Sequence, residues 1–357
     1  MVEATEQLAQ GRPEYPADLG WAARMRRAFA FGLAGSDTTM VALAGFLLRG
    51  GIVVLLLPSV VLPSVIGLAG ATGVDAFGID GHPTQWLIEM VVIACAAAAL
   101  YLILAFVAGS LIDVWLVGAA LDPEGRGASR PRSFPDLGIL LDLAAIRSIC
   151  AAPIAAAMAW AGSRIYTAAY NELMTPSNLV TPLAVRVVQS AADAVLVVGL
   201  AWLASEVVGA IAVRRLILLD TGVRRSIGGA LAQLIRRPIS LGATIVVSYG
   251  TSLVATGLAI AATATAFDWC RVAARNQEAI AVTIVSTTRD FRPVVFILAA
   301  AVLCCAWVAA LALSGVASAW RSAALTGETI AAVPVVDWDA VADRCGLSGE
   351  TSSPSGD

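Results

Sequence analysis

The chain has 357 residues, 59% of them hydrophobic and 14% charged, with a mean hydropathy of +0.82 and a formal net charge of −3. A soluble domain carries about 25% charged residues, so a water-soluble fold around one large core is excluded. Apolar runs recur at the length a bilayer requires, about 20 residues per helix. The expected fold class is all-α: a polytopic membrane helix bundle of about six transmembrane helices, with cytoplasmic interfacial amphipathic helices.

Residues 1–36 form a polar N-terminal segment whose Glu3, Glu6, Glu14 and Asp18 argue against a cleavable signal peptide. Its end, WAARMRRAFAFGLAGSD, reads as a basic interfacial helix, with Ser36, Asp37 and Thr38 available to cap the first span. The six-helix transmembrane domain is expected over residues 37–321. Its first span, about Val41 to Leu68, is interrupted by Arg49, Pro58 and Pro63, prolines that either kink or break a membrane helix. The second span starts near Trp86 and continues through VVIACAAAALYLILAFVAG. Arg49 and Asp113 are placed near the cytoplasmic interface, where arginine snorkels and aspartate is hydrated.

Further along, Ser133 stands three residues before Asp136 in a capping-box spacing, and Leu137, Leu140, Leu141 and Ala144 give an apolar face ahead of Arg147. The third span comes next at Ile149–Tyr170 and the fourth at Val187–Val213. After them the chain reads ALAQLIRRP. Ile227, Leu231, Leu234 and Ile235 share one helical face, while Arg224, Arg225, Arg236 and Arg237 occupy the remainder. That pattern predicts a helix in the membrane interface that turns at Pro238 into the fifth span, Ile239–Phe267. A sixth span covers Val294–Ala319, and residues 322–357 form an acidic, partly disordered cytoplasmic tail. Entry helices near Trp21, Ser133 and Val223 suggest a three-fold repeat of interfacial helix plus hairpin.

Sixteen arginines fall on one side of these spans and six on the other, with Arg49 unassigned, so the positive-inside rule puts both termini in the cytoplasm of a bacterial inner membrane. Arg26, Arg27, Arg224, Arg225, Arg236 and Arg237 are the candidate lipid-headgroup contacts. The corner at Ala230, Leu231, Leu234, Arg236, Arg237 and Pro238, with the SFxDL-like entry at Ser133, Phe134, Asp136 and Leu137, resembles poorly characterised bacterial six-span proteins. These include the membrane-domain family associated with glycerophosphodiester phosphodiesterases. The resemblance implies an architecture over most of the chain. It implies no phosphodiesterase activity, because no such catalytic domain is present.

Ionisable residues at membrane depth are where chemistry is expected. Arg186, Gln189 and Asp193 form one stripe of the fourth span, and Glu206 lies nearer its inner end on another face. This group is the candidate intramembrane polar site, read either as a proton or cation site around Asp193 or as a polar clamp between helices. Catalytic and metal sites are not expected. The single histidine, His82, lies beside Pro83 in an outer loop, there is no lysine to complete a P-loop, and the six cysteines are scattered. No cofactor and no nucleic-acid partner is expected. Membrane lipids are, and so is a membrane-protein partner docking through small-residue helix faces or the acidic tail. The preferred function is therefore a non-enzymatic scaffold, assembly factor or accessory subunit. The alternative is a secondary transporter or permease subunit.

Overall fold

The computed structural model describes residues 20–56, 85–121, 135–178, 181, 183–281, 292–333, 340, 341, 344 and 345. They are helical throughout, in the order α1 (Trp21–Ala34), α2 (Ser36–Phe46), a π-turn (Leu47–Gly51), α3 (Ile52–Leu56), α4 (Gln85–Leu121), α5 (Leu137–Met174), α6 (Leu183–Ser190), α7 (Ala192–Leu219), α8 (Val223–Arg236), α9 (Pro238–Ala281) and α10 (Arg292–Ala332). Five are long and apolar enough to cross a membrane, and a sixth span is counted when the bent pair Trp21–Leu33 and Ser36–Gly51 is taken together.

The exposed apolar surface and the packed core occupy different levels. On α4 large apolar side chains are exposed from Trp86 to Val107, and on α10 from Val294 to Leu313. Each stretch rises about 30 Å, the thickness of a hydrocarbon core. Below it, at the arginine-rich end, burial takes over. Val114, Val117, Leu143, Ile146, Ile211, Val213, Ile217, Leu241 and Leu325 form the main core, which Val341 and Cys345 join from the tail. Burial pushes the Cys345 thiol up to about 12, so it stays protonated and inert at physiological pH.

Two corners deliver short helices to this core. The chain turns by 94° between α1 and α2 at Gly35, whose backbone is extended. The second turn comes at Arg237, the residue that ends α8; its carbonyl accepts the first hydrogen bond of α9 from Leu241 N–H at 3.0 Å. Pro238 opens α9, where its missing N–H costs nothing. The third expected corner, before Ile149, is not formed. Helix α5 runs unbroken from Leu137 to Met174 with Pro153 inside, because Leu143 and Ile146 are locked into the main core and hold the segment in line. Ser133 and Phe134 lie outside the described residues.

Three other expectations need adjustment. The first span is broken, but at Arg49–Gly50, ahead of the prolines; Pro58 and Pro63 lie outside the described residues. Gly50 has φ +95°, a conformation that glycine alone adopts readily. The carbonyls freed at Leu47 and Leu48 accept from the Tyr101 hydroxyl at 3.3 and 2.7 Å. The fourth span steps out of helical geometry at Ala191 (φ −117°, ψ 33°), which separates α6 from α7. Residues 322–332, expected to open the tail, are instead the buried last turns of α10. Trp21 and Trp320 pack inward: Trp21 donates to Thr244, and Trp320 meets Phe29 edge-on at 5.9 Å.

Candidate functional site

The charged centre of the molecule is Asp113, whose side chain is 3% exposed. Its position on α4 is eight residues before Leu121, about 12 Å in from the helix end. One carboxylate oxygen accepts from Arg49 at 2.5 Å, and the other accepts from Arg147 at 2.8 Å. Arg147, on α5, also pairs with Glu206 of α7 at 3.4 Å. The break at Gly50 explains how Arg49 takes part: the non-helical backbone at Arg49 and Gly50 ends α2 beside α4, with Arg49 Nε lying near Gly109. One chain of ion pairs thus joins α2, α4, α5 and α7.

Arg214, two turns below Glu206 on α7, extends the network to α10. It donates to Thr326 Oγ1 (3.0 Å), Ala210 O (2.7 Å), Ser322 O (3.1 Å) and Ser322 Oγ (2.9 Å). Arg321 lies over the Tyr249 ring at 5.0 Å. Between these groups is a small cleft lined by Arg49, Asp113, Glu206, Arg214, Ser318, Arg321 and Ser322 together with apolar side chains of α2, α4 and α10. The helices approach closely because Gly315 meets α2, where any Cβ would fall 2.9 Å from Thr39.

A second polar lock fastens α1. Glu328, fully buried on α10, accepts from Arg24 at 3.0 Å and from Ser240 Oγ at 2.7 Å. Gln233 of α8 donates to the Glu328 carbonyl at 3.5 Å. Among the described residues no group of three metal-ligating side chains comes together.

The expected polar stripe is taken apart. Arg186 is buried, donates to the Asn178 carbonyl at 2.5 Å and pairs with Glu172 at 3.4 Å. Gln189 is exposed. Asp193, in the first turn of α7, pairs with Arg164 at 2.9 Å, both side chains about half exposed (49% and 50%). Glu206 belongs to the Asp113 cluster instead. The step at Ala191 breaks the register that a continuous helix would have given these residues. Asp193→Asn is therefore expected to leave the thermal unfolding midpoint in detergent unchanged, since exposed ion pairs contribute little. A clear drop in that midpoint would restore Asp193 as a buried site.

The headgroup candidates stay on the surface. Arg26, Arg224, Arg225, Arg236 and Arg237 are exposed and Arg27 is half-buried. The face of α8 turned to the core is Ser226, Ala230 and Gln233, while Leu231 and Ile235, from the apolar face read for an interfacial helix, stand outward (47% and 80% exposed) beside the arginines. In α1, Phe29 and Leu33 likewise stand outward with Arg26.

No family model, curated protein or solved structure matches the chain. Sequence reasoning missed Asp113, Arg147 and Arg214 as members of a site. A signal for the first pair existed: an aspartate about 12 Å from the end of α4 and an arginine about 15 Å from the start of α5 lie at matching depth.

Proposed function

We propose that the chain is a non-enzymatic component of a bacterial cytoplasmic-membrane complex, a scaffold or accessory subunit, with six spans and both termini cytoplasmic. The observation that carries this reading is the contrast between its two levels. At the arginine-rich base, ion pairs and a packed core hold α2, α4, α5, α7 and α10 together. At membrane depth, every described side chain of α4 from Gln85 to Leu104 is exposed. Helix α4 there offers Ala97, Ala98 and Ala99 among Ile93, Leu100 and Ile103, a surface that another protein's helix could pack against.

The base also supports an interfacial role for α1 and α8. Their outward faces combine arginine with apolar side chains, the pairing that suits a headgroup layer. The resemblance of the Ala230–Pro238 corner to six-span membrane domains enters this proposal at the level of architecture alone, with no reaction attached.

A secondary-transporter reading has one observation of its own. The α2–α3 helix is discontinuous at Gly50, and its break feeds Arg49 into a charged cleft. That cleft lies below the apolar belt, whereas alternating access places the site near mid-depth.

Purification in a mild detergent or nanodisc, with mass spectrometry of the eluate, separates the two. A partner in fixed stoichiometry that cross-links to a photoreactive residue at Ile93 or Leu100 is the expected result. A lone monodisperse protein with only lipid adducts at those positions would overturn the accessory reading. Periplasmic labelling of a cysteine at Val2 would overturn the orientation.

A further inference from the structure

The cleft at the base contains more positive than negative charge. Its lining brings three guanidiniums, Arg49, Arg214 and Arg321, to two carboxylates, Asp113 and Glu206, both of which also pair with Arg147. Two of the three form no close ion pair among the described residues. Arg214 is 3% exposed, yet its hydrogen-bond partners are hydroxyls and carbonyls. Arg321 lies over the face of Tyr249. Both line the same cavity, and Ser318 lies one turn before Ser322 and Arg321 on the lining face of α10.

Buried guanidiniums need counter-charge, because neutral acceptors satisfy their N–H groups without offsetting the desolvated charge. Among the described residues no further carboxylate pairs with Arg214 or Arg321, and an anion from outside the chain would supply the missing compensation. The planar fork of arginine fits two oxygens of a tetrahedral oxyanion, and a serine hydroxyl adds a third donor. The cleft also lies at the foot of the apolar belt, the level at which the headgroup layer begins.

We propose that this cleft binds a phosphate group, held by Arg321, Arg214 and Arg49 with Ser318 as hydroxyl donor. The shared chemistry is a phosphate anion, whether on a lipid headgroup or free. The site stands independently of any protein partner.

The test uses the full chain, delipidated in detergent. One arm titrates dioleoylphosphatidylglycerol against dioleoylphosphatidylcholine by native mass spectrometry. The other titrates inorganic phosphate while following tryptophan fluorescence, to which Trp320 beside Arg321 contributes. Saturable binding in at least one arm is expected. Phosphatidylglycerol alone would identify a lipid headgroup, inorganic phosphate alone a free anion, and both would show that the phosphate suffices. Arg321→Gln is expected to weaken binding about tenfold, the value of one charge-assisted hydrogen bond. Glu206→Gln is expected to tighten it, because a negative charge leaves the cleft. The distant surface variant Arg275→Gln, at an exposed position near the far end of α9, is expected to bind as the parent does. No saturable binding in either arm would overturn the proposal. So would parental affinity in Arg321→Gln, weakening in Glu206→Gln, or equal loss in the surface variant. Should Arg321→Gln not fold, the direction of the Glu206→Gln change decides.

Discussion

Asp113→Ala is expected to lower the unfolding free energy by about 3–5 kcal/mol, the range for breaking a buried ion pair from one side. Two guanidiniums depend on this carboxylate. Arg49 would keep some access to water, at 27% exposure, but Arg147 at 10% would retain only Glu206 at 3.4 Å. The loss is large because the remaining charges cannot all leave: α4, α5 and α7 are packed around them through Val114, Ile146 and Ile211. Equilibrium unfolding of the purified protein in mixed micelles would measure it. Asp113→Asn separates shape from charge, since it preserves the volume and removes only the charge, and it is expected to fall in the same range. A loss below about 1 kcal/mol for both variants would mean that the cluster behaves as a hydrated surface network. The pair itself is not expected to be a large net source of stability, because desolvation offsets most of the Coulombic gain. Its effect is to select one register among four helices whose apolar surfaces are otherwise interchangeable.

The second large effect is expected at Glu328. Glu328→Ala removes the partner of Arg24 and Ser240 from a fully buried position and is expected to cost about 3 kcal/mol. The consequence is local as well as global. Helix α1 is held by Arg24, by the Trp21–Thr244 hydrogen bond and by Met25, Ala28 and Trp320. With Arg24 released, α1 should exchange its amide hydrogens faster than α9 or α10 does. Hydrogen–deuterium exchange over residues 21–34 reads this directly. Exchange that stays at the parental rate would show that apolar contacts alone dock α1. The reversed pair, Arg24→Glu with Glu328→Arg, should recover part of the protection.

Much of the helical layout was legible in the chain. The corner at Arg237–Pro238 could be read because each part of it acts locally: an arginine-rich helix, a residue that ends it, a proline that starts the next. The continuity of α5 could not, since the decision rests on Leu143 and Ile146 finding partners on other helices. Both sides of α8 illustrate the same limit. Its periodicity showed an apolar face through Leu231 and Ile235, but not that the core would receive Ala230 and Gln233, the latter donating to the Glu328 carbonyl. The fourth-span stripe failed for a third reason. Asp193 and Arg186 were aligned on a continuous helix, but the chain steps out of helical geometry at Ala191 between them and each pairs with its own partner on α5, Arg164 and Glu172.

By itself, then, the sequence determined the class of molecule, the approximate extent of its long helices and the segregation of arginine to one end. Apolar run length and charge position are local quantities, and a bilayer-length helix forms wherever the run is long enough. Only the tertiary structure decided that Asp113 meets Arg49 and Arg147, that Glu206 joins them while Asp193 does not, and that Arg214 and Arg321 face the same cleft without a close ion pair among the described residues. Those pairings depend on the depth and rotation of one helix against another. Such quantities come from close packing and from the cost of a buried charge with no partner, and both are settled only when all the helices are in place.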